Sequence, residues 1–366
     1  MPSTSNKRRP IVKLAGIGLY IHWTFSLLIV YIIYINMKAG LDPTQISWSV
    51  LFVLAMFVCV ILHELGHALT ARRFGIKTED ITLYPIGGVA KLERIPERPY
   101  QELLVSIAGP LVNIAIMLLL LPFFYDTDVI QMLGNDGGII TPANFLTSLA
   151  FLNVWLALFN LIPAFPMDGG RILRSLLAMR FSRLKATAYA VGIGKILAFG
   201  FIIAGFFYNP FLIFIGVFVI LGAQAEYEMV KNKDAVTGLT SSDAMMSQWH
   251  EFEADQPLSS AIDALLRTDS KSFLIRENGT YVGTLDRDTM IKALRDRGDS
   301  VPIGDVCDRQ LSYVDMETPV DHVFSRFRDD RVPLVLVMDK GNLVGVIDAE
   351  NIAELILVKQ ALKKEN

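Results

Sequence analysis

The sequence predicts a polytopic α-helical membrane protein of about six spans with a smaller soluble α+β domain at its C-terminal end. Three observations carry that expectation. Hydrophobic residues make up 52% of the 366 and charged ones only 19%, at a mean hydropathy of +0.42, an excess that soluble globular chains rarely show. The excess is concentrated before about Ala225, in runs near the roughly 20 residues that a bilayer requires. Beyond that point the composition is that of ordinary soluble protein, and matching residues recur at a constant offset of 62, which marks an internal repeat.

Taken in order, Lys7, Arg8, Arg9 and Lys13 precede an apolar stretch that is long enough to span and lacks a small-residue cleavage site, so it reads as a retained first span. Six spans are expected at about 17 to 37, 48 to 70, 102 to 124, 143 to 163, 187 to 207 and 209 to 226. The last two are separated by Tyr208-Asn209-Pro210, which suits a tight hairpin or one broken element. Lys and Arg accumulate on the cytoplasmic side of membranes. With the N-terminus inside, the loop holding Arg72, Arg73, Lys77, Lys91, Arg94 and Arg98 is inside, as is the loop holding Arg171, Arg174, Arg180, Arg183 and Lys185. The connection from Tyr125 to Pro142 carries Asp126, Asp128 and Asp136 without Lys or Arg and falls outside. An even number of spans returns the tail to the cytosol, so both termini are expected there. A formal net charge of -3 is too small to imply nucleic acid as a partner. Cys59 and Cys307 are too few for a disulfide framework.

The chemistry is concentrated in His63-Glu64-Leu65-Gly66-His67, inside the second apolar run. On a helix, His-Glu-x-x-His places two imidazoles one turn apart on one face, where both can bind one zinc ion while the glutamate handles protons. Ionisable groups in an apolar segment are costly and mark functional positions facing a cavity. The plainer reading is a His pair satisfied by its neighbours, or a His-Glu hydrogen bond that holds two helices together, and the cost of such groups in lipid weighs against it. A hydrolytic zinc site uses three protein ligands and keeps a position for water, so a third ligand is required. The best candidate is Asp168, in Asn160-Leu161-Ile162-Pro163-Ala164-Phe165-Pro166-Met167-Asp168-Gly169-Gly170. Two prolines there break the fourth span, and irregular backbone at membrane depth is tolerated where it lines a cavity. The competing role for Asp168 is a helix N-cap. Zinc lowers the pKa of bound water toward 7 and polarises a carbonyl, and Glu64 is placed to take the proton and pass it to a leaving amine.

These residues resemble the site-two protease family of intramembrane zinc metalloproteases. His63-Glu64-Leu65-Gly66-His67 is similar to the family's metal helix, Asn160 through Gly170 to its third-ligand segment, and Ala108-Gly109-Pro110-Leu111-Val112-Asn113 to the small-residue motif on the helix between. The resemblance implies one Zn2+ held by His63, His67 and Asp168, with Glu64 as catalytic acid and base and Asn160 supporting the oxyanion. It implies single-span membrane proteins as substrates, cleaved in contact with membrane lipid, and a place in the cell (inner) membrane. A helical substrate must be unwound before attack, and the β-like stretch from Ile81 to Leu92, around a Pro/Gly turn, could hold the extended chain by strand addition. The alternative is a plain surface hairpin. His22 beside Trp23 reads as a packed residue, and the Phe-rich stretch from Phe199 to Phe218 as lipid-facing surface. His250 and His322 read as exposed.

In the tail, Asp243 pairs with Asp305, Pro257 with Pro319, and Val282-Gly283-Thr284-Leu285-Asp286 with Val344-Gly345-Val346-Ile347-Asp348. Each copy reads as helical segment, strand, turn, strand and helix, with Asn278-Gly279 as a hairpin turn. The tail resembles a tandem CBS-domain pair. The division is then 1–230 for the membrane domain, 238–298 for the first repeat and 300–360 for the second. The resemblance implies an adenine nucleotide in the cleft and a homodimer formed through the pair. Asp286 and Asp348 stand where a phosphate-facing hydroxyl is expected, which argues against polyphosphates and leaves a structural or dimerising role open. Two other functions remain as alternatives: a CBS-gated transporter or channel, for which polar positions would recur across spans, and a catalytically silent receptor of membrane segments.

Overall fold

The structure is a computed structural model that describes residues 10–85, 87–93, 96–124, 139–329 and 332–364. The chain divides into two compact units, Met1–Glu228 and Met229–Asn366.

The first unit opens with a short hairpin where the sequence suggested the start of a span. Ala15 and Gly16 both have positive φ, 49° and 85°, and turn β1 (Val12–Leu14) into β2 (Ile17–Ile21). Ile17 and Leu19 bury their side chains against Ala68 and Ile81. The helix that follows, α1 (Thr24–Lys38), is therefore only 15 residues long. A four-stranded sheet forms from β1, β2, β3 (Thr78–Tyr84) and β4 (Gly87–Leu92) in that order. The pairing of β2 with β3 is parallel and the other two are antiparallel, so β4 is an edge.

Helix α2 (Pro43–Arg73) begins before the apolar run does, because Asp42 accepts from the amides of Thr44 and Gln45, Gln45 returns a bond to the Asp42 amide, and Pro43 occupies the first turn. It is followed by α3 (Pro99–Leu120), α4 (Phe145–Leu161), α5 (Asp168–Ala178), α6 (Arg183–Phe207) and α7 (Phe211–Val236). Among the described residues, four helices are long and apolar enough to cross a membrane: α2, α3 with its extension to Phe123, α6 and α7. The apolar helices α1 and α4 are shorter. Residues 125–138, most of the connection expected outside, lie outside the described residues. Outward-facing side chains are apolar, among them Leu119, Ile196, Phe206, Phe207, Phe211 and Phe214.

Where α3, α5, α6 and α7 meet, a charge network is buried. The Arg174 guanidinium, fully enclosed, bonds Glu102 through Nε (3.0 Å) and Nη2 and Glu226 through Nη1 (2.5 Å). Arg183 lies 3.4 Å from Glu102 Oε2, and the ring of Phe165 sits 5.0 Å beneath the guanidinium. Two cations and two anions neutralise each other, the condition under which burial of charge is tolerable.

The second unit contains α8 (Ser241–Ala244), β5 (Glu251–Glu253), α9 (Leu258–Arg267), β6 (Ser272–Glu277), β7 (Thr280–Asp286), α10 (Arg287–Arg297), β8 (Ser312–Asp315), α11 (Val320–Asp329), β9 (Val335–Asp339), β10 (Asn342–Ile347) and α12 (Ala349–Lys364). Two three-stranded sheets, β5-β6-β7 and β8-β9-β10, repeat with the offset read from the sequence. The Asn278-Gly279 turn has positive φ at both residues, and Lys340-Gly341 repeats it in the second copy. The isolated bridges are exchanged between copies: Thr240 with Pro319 and Pro257 with Pro302, Met246 with Val346 and Thr284 with Asp308. The segment entering the first copy consequently packs into the core of the second, where Val236 and Ala244 join Val314, Val337 and Ile352. Ile303, at the start of the second copy, packs into the core of the first with Leu258, Phe273 and Leu285.

Candidate metal centre

Helix α2 positions both histidines, which are buried, with ring planes at 83°. Their Nε2 atoms are 3.1 Å apart, and each is 3.2 Å from Oδ2 of Asp168. These three are the group of His, Cys, Asp and Glu side chains, among the described residues, whose atoms lie close enough to hold one metal ion. The second nitrogen of each ring is committed. His63 Nδ1 is 2.5 Å from Asn113 Oδ1, and His67 Nδ1 is 2.7 Å from the Val105 carbonyl oxygen. Both partners accept, so Nδ1–H donates in each ring and each Nε2 lone pair converges on one point. A zinc ion with bonds of about 2.0–2.2 Å requires ligand atoms little more than 3 Å apart, so the three side chains fit it.

Two glycines allow this convergence. A Cβ on Gly109 of α3 would come within 2.7 Å of His63 Cε1 and would also strike the His67 ring, and one on Gly169 would lie 2.5 Å from the Ile162 carbonyl carbon. The first lets α3 close over the histidines. The second seats the start of α5 against the irregular segment after α4. Asp168 is the first residue of α5, yet the side chain at the capping position is that of Met167 and makes no capping bond. The Asp168 carboxylate faces the histidines instead.

Glu64 is half-buried on α2 beside β4, where a Cβ on Gly88 would meet Glu64 Cγ at 2.9 Å. Asn160 donates from Nδ2 to the Leu156 carbonyl of its own helix at 2.9 Å. His22 stacks on Tyr84 at 5.0 Å between ring centroids and shares a 2.8 Å hydrogen bond with Thr24, in keeping with a packed residue. His250 lies 3.2 Å from the Ser270 hydroxyl.

In the second unit, Asp286 accepts from the Thr289 amide at 2.6 Å, and Asp348 from the Asn351 amide at 2.8 Å. Both carboxylates cap helices. They occupy corresponding positions in the two copies.

Two residues that bear on the centre were not singled out by sequence reasoning. Asn113 lies within the small-residue motif Ala108–Asn113, and Asn153 lies in the fourth apolar run outside any motif. Asn113 Nδ2 donates to Asn153 Oδ1 at 2.9 Å, and both residues are fully buried. A carboxamide inside an apolar span was the available signal.

The profile of peptidase family M50 matches residues 51–135 and 127–199, and that of the CBS domain matches residues 303–358. A zinc metalloprotease of Methanocaldococcus jannaschii is 34% identical over 359 residues, with 97% of each chain covered. Rip3 of Mycobacterium tuberculosis is 26% identical over 392 residues, covering 97% of this chain and 94% of that one. Among solved structures, the site-2 protease from Methanocaldococcus jannaschii is 39% identical and covers 59% of this chain and 94% of its own, at a TM-score of 0.43. With such identity over nearly its whole length, the chain belongs to peptidase family M50 and is a metalloprotease of that family.

Proposed function

We propose that the chain is an intramembrane zinc endopeptidase that cuts transmembrane segments of single-span membrane proteins. The observation that carries this reading is the placement of His63, His67 and Asp168 within 3.2 Å of one another, between apolar helices and with Glu64 adjoining the first of them. When bound, zinc supplies Lewis acidity to a scissile carbonyl and a water acidic enough to act near neutral pH. The rest falls to the chain. Glu64 accepts a proton from the attacking water at its carboxylate and returns it to the departing amine nitrogen. Asn160 Nδ2 has a second N–H beyond the one given to Leu156, and that donor supports the developing oxyanion. The edge strand β4 runs past Glu64, so an unwound substrate added to that edge reaches the site with its backbone extended. The seating of Gly88 against Glu64 supports strand addition over a plain surface hairpin.

Six crossings, with α1 and α4 as the two shorter ones, follow from the apolar helices and from the distribution of Lys and Arg. That count puts both termini in the cytosol and suits the cell (inner) membrane. The membrane domain is residues 1–230, and the repeats 238–298 and 300–360 form a CBS pair that regulates or dimerises the enzyme. If the pair holds an adenine nucleotide, adenosine or AMP binds at least as well as ATP, because each added phosphate approaches a carboxylate, Asp286 or Asp348. Calorimetric titration with the three ligands tests this, and distinctly tighter ATP binding without a bridging cation overturns it.

The central test measures zinc content and cleavage of a co-expressed model membrane segment. Glu64→Gln is expected to keep zinc and abolish cleavage, whereas Asp168→Ala loses zinc on extensive dialysis. Cleavage by Glu64→Gln above a few per cent of the parent removes Glu64 from the mechanism. Full zinc stoichiometry in Asp168→Ala removes Asp168 from the ligand set.

A further inference from the structure

The two histidines reach the same ring tautomer by different routes. His67 gives its Nδ1–H directly to the Val105 carbonyl, an atom that can only accept. His63 gives its Nδ1–H to Asn113, whose carboxamide could present either an oxygen or an NH2 group. What decides is the next link. Asn113 Nδ2 donates to Asn153 Oδ1 at 2.9 Å, and Asn153 Nδ2 donates to the Leu149 carbonyl at 2.8 Å and toward Cys59 Sγ at 3.3 Å. His63, Asn113 and Asn153 are buried, so water does not offer a substitute partner.

Reversing the relay shows why its direction is fixed. If Asn113 turned its NH2 toward His63, its oxygen would face Asn153. Asn153 would then have to turn as well, setting its own oxygen against the Leu149 carbonyl, acceptor to acceptor. Only one polarity satisfies every link.

We propose that Asn153 is a positioning residue for the metal centre: by accepting from Asn113 it sets the amide polarity that holds the proton of His63 on Nδ1 and leaves Nε2 free as a ligand. The proposal rests on the zinc site of the preceding reading and names a residue that does not itself touch it. Its effect is transmitted from α4 through α3 to α2.

The test compares Asn153→Leu with Asn153→Asp in the full-length protein. Leu fills the space without accepting. A buried Asp stays neutral, so its carbonyl oxygen accepts from Asn113 while its hydroxyl donates to Leu149, which preserves the polarity. Ring nitrogen chemical shifts of labelled histidine in metal-free protein read the tautomers directly, and chelator competition reads zinc affinity. Asn153→Leu is expected to give mixed tautomers at His63, leave His67 unchanged and weaken zinc binding about 10–100-fold. Asn153→Asp is expected to keep the parental tautomer and to bind zinc within a few-fold of the parent. A pure Nδ1–H tautomer and parental affinity in Asn153→Leu overturns the proposal. So does a loss in Asn153→Asp as large as that in Asn153→Leu. If the Leu variant does not fold, the His63 tautomer in the Asp variant decides alone, and its loss counts against the proposal. Failure of the zinc reading itself is distinguishable, because it would remove zinc binding from the parent as well.

Discussion

The two units bury different kinds of polar side chain. In the first, the buried polar side chains include His63, His67, Glu102, Asn113, Asn153 and Arg174, each bonded to another helix. In the second, among the described residues, the buried polar side chains are the hydroxyls of Ser241, Thr284 and Ser312, and those of Thr284 and Ser312 lack a hydrogen-bond partner within the protein, as the Thr78 hydroxyl does in the first. Apolar burial specifies the second unit: Leu258, Phe273, Leu285, Ile303, Val335 and Ile347 are fully enclosed. The contrast follows from the solvent. Helices among lipid tails gain little from hiding apolar surface, since lipid is as apolar as leucine, so small residues and polar pairs determine which faces meet. A module in water obtains its drive from burial and can carry an orphan hydroxyl at modest cost.

The largest effect expected from this contrast is on folding of the second unit. Because the segment 236–246 completes the core of the second copy and Ile303 that of the first, a fragment ending at residue 298, or one beginning at 300, is expected to remain unfolded while 229–366 folds. A cooperative unfolding transition in either half alone would break the account of exchanged segments. Next in size is Arg174→Met in the first unit, which leaves Glu102 and Glu226 buried without their shared cation and is expected to cost about 3–5 kcal/mol. A thermal midpoint in detergent equal to the parent's would show that polar pairing does not hold these helices. The smallest effect is Thr284→Val in the second unit. Removing an unpartnered hydroxyl at constant shape is expected to leave stability unchanged or raise it by up to about 1 kcal/mol. A clear loss in denaturant titration would reveal a partner for that hydroxyl and sharpen the comparison.

Much of the candidate centre is legible because its proposed ligands are conspicuous by type and setting. His63 and His67 lie one turn apart in an apolar run, and Asp168 lies where prolines break a span. The repeat was legible for a related reason, since an offset of 62 survives in sequence as in strands β6 and β9. The strand Ile17–Ile21 is not separable in sequence from the helix after it, because an unbroken apolar stretch has no period by which strand and helix differ. The Ala15-Gly16 turn was the available local signal. A carboxamide inside an apolar span marks Asn153, but its pairing with Asn113, 40 residues away, is recorded by nothing local in either segment. Asp286 and Asp348 were noticed for the cleft, but their local geometry is that of helix caps.

The distance along the chain between His67 and Asp168, 101 residues, also has a meaning in time. A ribosome adding about 5–20 residues per second completes α2 several seconds before Asp168 exists, and Asn113, 50 residues after His63, arrives midway. When that interval begins, the helix holds two imidazoles and a carboxylate with Val105, Asn113 and Asp168 all still unmade. The cluster is thus finished in a set order, the Val105 and Asn113 contacts first and Asp168 last, and a chain interrupted before residue 168 leaves only an open pair of histidines.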